Sequence, residues 1–312
     1  MKHSSAVPQL TIATNLWFGS PNAARLTAGT RALKEAFSAQ AGADVHEQYV
    51  DCSAPVPANH ESAARDTDAR GAEALCSAGH GIRNFAQYRE ALNNLRGTIE
   101  AKNPERVTLL GGGCAATLAV VPYLSRRYPG MRLIWIDAHG DLNSPDTSRS
   151  GYIHGMALGI LLDPAAYALF FADGDTMAPS LVALAGQKEL DPAEALYAAA
   201  ADITTLPLST RFEYALQEFF SAPESPGAQY APSSGDRRAP VYVHVDLDVL
   251  SPRAYQNPKC EIDAGPGIEE LANMLNLIGR NADLVGYSIA ENFETDARKV
   301  RQLAEALTEN SG

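Results

Sequence analysis

The sequence predicts an α/β fold, a three-layer α/β/α sandwich built around a mainly parallel β-sheet. Short apolar segments alternate with longer amphipathic segments, which is typical of a parallel sheet covered by helices on both faces. The chain has 312 residues, of which 46% are hydrophobic, so it can bury a large core. This length fits one sizeable domain better than two small ones, and we expect a single domain over residues 1–312.

Each element follows from this alternation. Apolar runs that are too short for helices predict strands at residues 10–14, 106–112, 132–137, 241–246 and 284–289. The amphipathic segments between them predict helices at residues 21–38, 84–101, 115–127, 267–279 and 296–308. Residues 221–240 are rich in Pro, Ser, Gly and Ala, and we expect a flexible surface loop there.

Charge and hydropathy exclude two classes of partner. The chain has 37 acidic and 25 basic residues, and its net charge of −12 includes no basic stripe that could neutralise nucleic-acid phosphates. No apolar run approaches the roughly 20 residues needed to span a bilayer. The N-terminal segment lacks the apolar stretch and small-residue cleavage site of a secretory signal. We therefore expect no nucleic-acid or membrane partner, and a cytoplasmic location.

The cysteines predict neither a zinc knuckle nor a disulfide framework. They are widely spaced and form no Cys-x-x-Cys pair, so free thiols are expected. The four are Cys52, Cys76, Cys114 and Cys260.

Ligand-type side chains concentrate at the ends of two predicted strands. Asp137, His139 and Asp141 alternate directly after the strand at 132–137, so all three would point to one side of an extended segment. Asp246 and Asp248 repeat this spacing after the strand at 241–246. The carboxyl ends of parallel strands are where open α/β sheets bind their ligands.

Such converging carboxylates repel one another unless a cation neutralises them, which predicts one divalent ion or a bridged pair. An isolated Asp-x-His or Asp-x-Asp is more often a solvated loop or a helix cap. Two acidic strand ends, each following an otherwise apolar run, are much more specific than either one alone.

Four segments carry a resemblance to a known family. They are GGGCAATLAVVP, WIDAHGDLNSPDTSRSGYIHGM, VHVDLDVLSP and GYSIAENFE. In order and approximate spacing, over about residues 106–295, they resemble the four signatures of the arginase-like ureohydrolases. The resemblance implies an arginase-like fold and a hydrolase of linear amidine C–N bonds. It also implies a small guanidino-type substrate and a homo-oligomer, although no segment identifies an interface.

The resemblance further implies a manganese centre of one or two ions. Asp137 and Asp246 would bridge two Mn²⁺ ions, His139 and Asp248 would complete one site, and Asp141 would belong to the other. Metal coordination lowers the pKa of water toward neutrality, so a metal-bound hydroxide would attack the guanidinium carbon and release urea or a hydroxyurea-type product.

Five more residues receive roles from the resemblance, which implies His154, Asp141 and Glu291 as the catalytic residues. His154 matches the proton shuttle of the family. The alternative is that it is a surface or core histidine without a catalytic role. Glu291 matches the acid that pairs with the guanidinium group, although an acid at a helix N-terminus is equally compatible with the sequence. Asn143 and Ser150 would hold a substrate carboxylate, and Ser148 would assist.

Cys114 departs from the family pattern, which has a metal-binding histidine at this position. Manganese prefers oxygen and nitrogen donors, whereas a thiolate favours softer ions such as zinc. Three outcomes stay open: one manganese ion, two ions with a thiolate ligand, or a small buried residue beside a vacant site. Enzymes that act on Nω-hydroxy-arginine are similar in having this cysteine, so hydroxyguanidines are candidate substrates.

Two other readings compete with the hydrolase. The replaced ligand is compatible with a non-catalytic arginase-like protein that serves as a binding or structural subunit, but five other metal-ligand positions and the His154 match argue against it. A deacetylase of the related metal-dependent fold fits less well, because paired Asp-x-His-x-Asp and Asp-x-Asp segments suit two ions better than one zinc ion.

Overall fold

The computed structural model describes residues 8–41, 45–49, 80–172, 175–222, 238–255, 257 and 262–308. Cys52, Cys76 and Cys260 lie outside these ranges, as do residues 223–237 of the predicted surface loop. The described ends of that loop are regular, since Ser221 ends a helix and Pro240 begins a strand.

One sheet organises the described part of the chain. Its strands are β1 (Gln9–Thr14), β2 (Val45–Gln48), β3 (Arg106–Gly111), β4 (Arg132–Ile136), β5 (Val182–Ala185), β6 (Thr204–Leu206), β7 (Pro240–Asp246) and β8 (Asp283–Ala290). They lie in the order β2-β1-β3-β8-β7-β4-β5-β6, and each pairing between these strands is parallel.

Helices lie between successive strands, and a last helix follows β8. They are α1 (Ala23–Ala41), α2 (Phe85–Lys102), α3 (Thr117–Arg127), α4 (Ala157–Leu162), α5 (Pro164–Tyr167), α6 (Pro192–Ala200), α7 (Phe212–Ser221), α8 (Ile268–Asn281) and α9 (Ala297–Thr308). Short 3₁₀ turns at Cys114–Ala116, Ile153–Met156, Pro179–Leu181 and Leu247–Val249 complete the described elements.

Two hydrophobic cores lie on opposite faces of the sheet. Side chains of α2, α3 and α4 pack on one face, and side chains of α7, α8 and α9 pack on the other. The central strands β4 and β7 are buried along their whole length, which explains why they appear in the sequence as nearly continuous apolar runs. The predicted three-layer α/β/α sandwich is confirmed.

The five predicted strands and five predicted helices are present, with ends displaced by a few residues. Strands β2, β5 and β6 were not predicted because each has only three or four residues, too few for a recognisable hydrophobic period. Two of them, β2 and β6, are the edge strands of the sheet. Within the described ranges, no helix combines the length and hydropathy needed to cross a bilayer.

The motif segments follow the four strands at the centre of the sheet. Strands β3, β8, β7 and β4 are consecutive neighbours, and all point the same way. Their carboxyl ends therefore open on the same edge, where loops from both halves of the chain meet.

Candidate metal centre

The two acidic motifs leave neighbouring strands at the same level. In the register of β4 with β7, Trp135 lies opposite His244 and Ile136 lies opposite Val245. Asp137 and Asp246 are the next residues along the two strands, and both are buried. Parallel pairing thus brings together carboxylates that are more than a hundred residues apart in the sequence.

Asp137, His139 and Asp248 form one potential ligand group, with one donor atom from each lying within 4.8 Å of the others. His139 Nδ1 is 2.9 Å from Asp248 Oδ2 and 3.5 Å from Asp137 Oδ1. A single ion could replace the proton that now joins the imidazole to these carboxylates.

Cys114, Asp246 and Glu291 form a second group at the same spacing, and all three are buried. The Cys114 thiol donates to Asp246 Oδ2 with a separation of 3.1 Å. Cys114 thus faces the carboxylates. It is not simply a small apolar residue of the core.

Asp141 is buried beside these groups in a left-handed backbone conformation, with φ of 50°. The backbone amide of Gly159 donates to its carbonyl oxygen at 2.9 Å and fixes the turn. Its Oδ2 atom is buried and has no hydrogen-bond partner in the part of the chain that the structure describes. A buried carboxylate oxygen without a donor is what a metal ligand looks like before it binds its ion.

Hydrogen bonds from the protein orient the remaining carboxylates. The indole Nε1 of Trp135 donates to Asp137 Oδ2 at 3.0 Å, and the backbone amide of His139 donates to Asp137 Oδ1 at 2.7 Å. The backbone amides of Ala138 and Asp248 donate to Asp248 Oδ1 and Asp246 Oδ1, at 3.1 and 2.9 Å. These donors set the direction in which each carboxylate faces the centre.

Burial dominates the electrostatics of the centre. It raises the pKa of Asp137 to about 7, and it raises the pKa values of Asp141, Asp246 and Cys114 well above their ordinary ranges. The negative charges of neighbouring carboxylates add to this effect. The site therefore favours either protonated acids or a bound cation.

His139 and Asp248 form an ion pair within this acidic cluster. Burial opposes protonation of His139, but hydrogen bonds with Asp137 and Asp248 raise its pKa to about 12. Burial by itself would raise the pKa of Asp248. The hydrogen bond from His139 outweighs burial and lowers the pKa of Asp248 below its ordinary value. Without a metal, the protonated imidazole supplies the positive charge. The donor set and the buried Asp141 oxygen fit a divalent ion.

Besides Asp141, the predicted catalytic residues are Glu291 and His154, and these two have different surroundings. Glu291 follows β8, is buried, and has a left-handed φ of 57°. It precedes α9 by several residues, so it is not an acid in the first turn of that helix. His154 lies half-buried in the turn Ile153–Met156, with its ring stacked on Tyr152 at a centroid distance of 5.4 Å. That turn packs against the turn that carries Cys114.

The predicted substrate-binding residues lie outside the buried cluster. Asn143 is buried and donates to Asp191 Oδ2 at 3.1 Å. Ser148 Oγ and Ser150 Oγ accept hydrogen bonds from the backbone amides of Gly151 and Tyr152, at 3.1 and 3.3 Å. Ser150 is exposed and Ser148 is half-buried, so their hydroxyl groups border the loop that follows β4.

The sequence reasoning missed His244, which is fully buried on β7. One donor atom from each of Cys114, Asp137 and His244 lies within 4.8 Å of the others. The residue was interpreted as part of an apolar strand. A signal was present, because His244, Asp246 and Asp248 continue a single period-two alternation.

Comparison with known proteins shows which family this chain matches. The family model described as the Arginase family matches residues 28–304. The chain belongs to the arginase family. An arginase of Staphylococcus aureus strain MRSA252 is 26% identical to this chain over 214 residues. The alignment covers 68% of this chain and 69% of the S. aureus protein.

A second relative is named for a different activity. The Nω-hydroxy-L-arginine amidinohydrolase of Streptomyces lavendulae is 29% identical over 171 residues, 53% of this chain and 54% of that protein. This arginase-family chain thus aligns with about half the length of several of its curated relatives, although its alignment with the first arginase is longer.

Solved arginases share the fold. The native arginase of Bacillus caldovelox superposes with a TM-score of 0.73 at 18% identity, covering 98% of both chains. The arginase of Entamoeba histolytica superposes with a TM-score of 0.71 at 17% identity, covering 98% of this chain and 99% of that one. The prediction of an arginase-like fold is confirmed. The two relatives, named as an arginase and an amidinohydrolase, support the prediction of a hydrolase that acts on amidine C–N bonds.

Proposed function

We propose that this arginase-family chain is a metal-dependent amidinohydrolase that cleaves a linear guanidino or hydroxyguanidino C–N bond. The products would be an amine and urea or a hydroxyurea-type compound. The observation that carries the proposal is the convergence of four buried carboxylates, one imidazole and one thiol at the carboxyl ends of the central strands. Those carboxylates are Asp137, Asp141, Asp246 and Asp248.

Manganese is the proposed ion at the Asp137, His139 and Asp248 position, because hard oxygen donors with one imidazole suit it. Asp246 and Asp141 would add further carboxylate oxygens, and the charge of neighbouring Asp137 acts on both. Held by these residues, a divalent ion would lower the pKa of water toward neutrality and so supply a nucleophile for the guanidinium carbon.

The chain's own residues would direct the rest of the reaction. Glu291 would pair with the positively charged guanidinium group, and its burial among acidic groups supports this role because a cation there is strongly attracted. His154 would hold the proton that the departing amine takes when the C–N bond breaks. Its half-buried position, on a turn that packs against the Cys114 turn, supports this role.

The tail of the substrate would lie along the loop that follows β4. Asn143, Ser148 and Ser150 are proposed to bind a substrate carboxylate there. The serine hydroxyls now accept backbone hydrogen bonds, and each retains a proton to donate to such a group. A guanidino acid is therefore the proposed substrate class.

Hydroxyguanidines are favoured within that class. The relative from Streptomyces lavendulae is named for Nω-hydroxy-L-arginine, and this chain resembles such enzymes in having a cysteine at position 114. A thiol facing the centre makes the site softer than an all-oxygen and imidazole set, which changes how strongly each ion binds.

We also propose that the chain forms one catalytic domain over residues 1–312. A single sheet with helices on both faces and a family match from residue 28 to residue 304 support this. The cytoplasmic location, the homo-oligomer and the lack of a nucleic-acid partner remain predictions from sequence.

Product analysis tests the proposal. Metal-free protein is reconstituted with Mn²⁺, its metal content is measured by plasma mass spectrometry, and urea and hydroxyurea release from arginine and Nω-hydroxy-arginine is compared. We expect bound manganese and faster turnover of the hydroxyguanidine. Asp137→Asn should abolish both metal binding and turnover, whereas the control Asp263→Asn removes only an exposed ion pair with Arg253 and should leave both unchanged. Protein that retains no metal after reconstitution would contradict the proposal.

A further inference from the structure

His244 is the buried titratable residue at this centre to which the sequence motifs gave no role. Its side chain is fully buried on β7, and Nδ1 lies 2.7 Å from Ser288 Oγ on the neighbouring strand β8. Its Nε2 atom is buried and has no hydrogen-bond partner among the residues that the structure describes. Buried polar atoms normally have partners, so this nitrogen points to a ligand.

Neighbouring strands hold the imidazole from both sides. Trp135 lies opposite His244 on β4 and packs against it in a tilted arrangement, with ring centroids 3.9 Å apart and an interplanar angle of 34°. Ser288 lies opposite on β8 and occupies Nδ1. The ring therefore cannot rotate freely, and Nε2 is the nitrogen left to bind another group.

Cys114 and Asp137 lie close to the imidazole of His244. A ring nitrogen of His244, the Cys114 sulfur and an Asp137 oxygen all lie within 4.8 Å of one another. Donors about 2.0–2.3 Å from a tetrahedral ion are about 3.3–3.8 Å apart, so a small contraction would bring these three atoms to bonding distance. The same Asp137 also belongs to the group with His139 and Asp248, as a bridging carboxylate would.

We propose that Cys114, Asp137 and His244 form a binding site for a thiophilic divalent ion such as Zn²⁺, next to the manganese position at Asp137, His139 and Asp248. The inference rests on the metal centre of the proposed function and specifies its second position. The centre would then have two different ion positions, one with a sulfur ligand and one with mostly oxygen ligands.

The chemistry of the donors supports a soft ion. Thiolate and imidazole are preferred zinc ligands, whereas manganese prefers carboxylate oxygens. The Cys114 thiol releases its proton to solvent when the sulfur binds the ion. One thiolate, one carboxylate and one neutral imidazole then balance the two positive charges of the metal, which suits a buried site.

Cobalt substitution tests the proposal through a spectroscopic signal. Metal-free protein is titrated with Co²⁺, and the sulfur-to-cobalt charge-transfer band in the near ultraviolet is recorded. We expect the band in the wild type and its loss in Cys114→Ser. His244→Gln should weaken Co²⁺ binding at this position by more than about 100-fold, beyond the effect typical of residues that only orient a ligand.

Two control variants separate a ligand from a supporting residue. Ser288→Ala keeps the imidazole but removes its Nδ1 partner, so affinity should fall by about 10-fold and the band should persist. His139→Asn damages the manganese position and should leave the band in place. An equal and small effect of His244→Gln and Ser288→Ala would overturn the assignment of His244 as a ligand.

X-ray absorption on the wild-type protein does not depend on whether any variant folds. After loading with an equimolar mixture of Zn²⁺ and Mn²⁺, we expect about one of each ion per chain, with sulfur and imidazole in the zinc shell. A zinc shell without sulfur, or about two manganese ions per chain, would overturn the inference while hydrolysis of guanidines still supports the proposed function. A sulfur-bound ion in a protein that hydrolyses no guanidine would support the inference and contradict the proposed function.

Discussion

At the scale of single residues, burial governs the chemistry of this centre. Carboxylates that would be ionised on the surface have raised pKa values here, and Glu291 lies among them with a left-handed backbone. Backbone strain of this kind persists where the surrounding structure requires it, and it is common at functional sites. Glu291 is therefore the acid whose replacement best separates substrate binding from metal binding.

Replacement of Glu291 by glutamine should impair substrate recognition. Glutamine has nearly the same shape but no charge, so a guanidinium group loses a buried ionic partner. We expect kcat/KM to fall by about 100-fold or more. Manganese content, measured by plasma mass spectrometry, should stay within experimental error of the wild type.

The matched control is Glu269→Gln in the first turn of α8, where the side chain is exposed. It should leave kcat/KM unchanged. Loss of manganese in Glu291→Gln would instead assign this carboxylate to metal binding.

At the scale of elements, the loop after β3 determines where Cys114 lies. Gly111, Gly112 and Gly113 all have positive φ, between 61° and 77°. A Cβ atom on Gly112 would lie 2.5 Å from Thr14 Cγ2, and one on Gly113 would lie 2.9 Å from the Trp17 ring. The loop therefore packs tightly against the segment around β1 and directs the thiol toward the carboxylates.

Gly112→Ala should damage both stability and the site. The left-handed φ and the close contact with Thr14 should together destabilise the protein by about 1–3 kcal/mol. Urea denaturation measures this change, and the cobalt spectrum of the folded fraction should show a weaker sulfur band because Cys114 is displaced.

Gly97→Ala serves as the control for this substitution. Gly97 lies within α2, and an added Cβ would meet no atom within 4 Å. Alanine favours the helix, so stability should rise by about 0.5–1 kcal/mol with no change in the spectrum. Equal effects of the two substitutions would contradict a special role for the glycine loop.

At the scale of the whole molecule, the parallel sheet concentrates negative charge in one buried place. Two cores on opposite faces hold the central strands, and the acids at the strand ends have little access to water. Folding thus places several acids next to one another at a cost that protons or metal ions must offset. Stability should therefore depend on pH and on metal together.

Metal-free protein should lose stability as pH rises from about 6.5 to about 8. Asp137 has a folded pKa of about 7, raised by burial from 3.8, so the native state binds more protons than the unfolded chain and loses stability up to that pH. His139 is raised from 6.5 to about 12, so its contribution is present below pH 6.5 and declines above it.

Urea midpoints of the metal-free and metal-loaded protein at the two pH values measure this effect. Bound metal replaces these protons, so the loaded protein should show a much smaller change. His139→Gln should reduce the slope in the metal-free protein. Equal slopes with and without metal would show that the titrating groups lie elsewhere.

The sequence by itself determined the layers of the fold and the positions of five ligand-type residues. Hydrophobic period reveals long buried strands because both of their faces are apolar, and alternation after a strand reveals Asp137, His139 and Asp248 because side-chain direction is a local property. The short strands β2, β5 and β6 lacked enough residues to show any period.

Only the tertiary structure decided which side chains share a site. His244 appeared as one residue of an apolar strand until the pairing of β4, β7 and β8 set it between Trp135 and Ser288. Cys114 likewise acquired its partner Asp246 from a strand more than a hundred residues further along the chain. Strand order and register are properties of the assembled sheet, and no local pattern of residues encodes the distance between two donors on different strands.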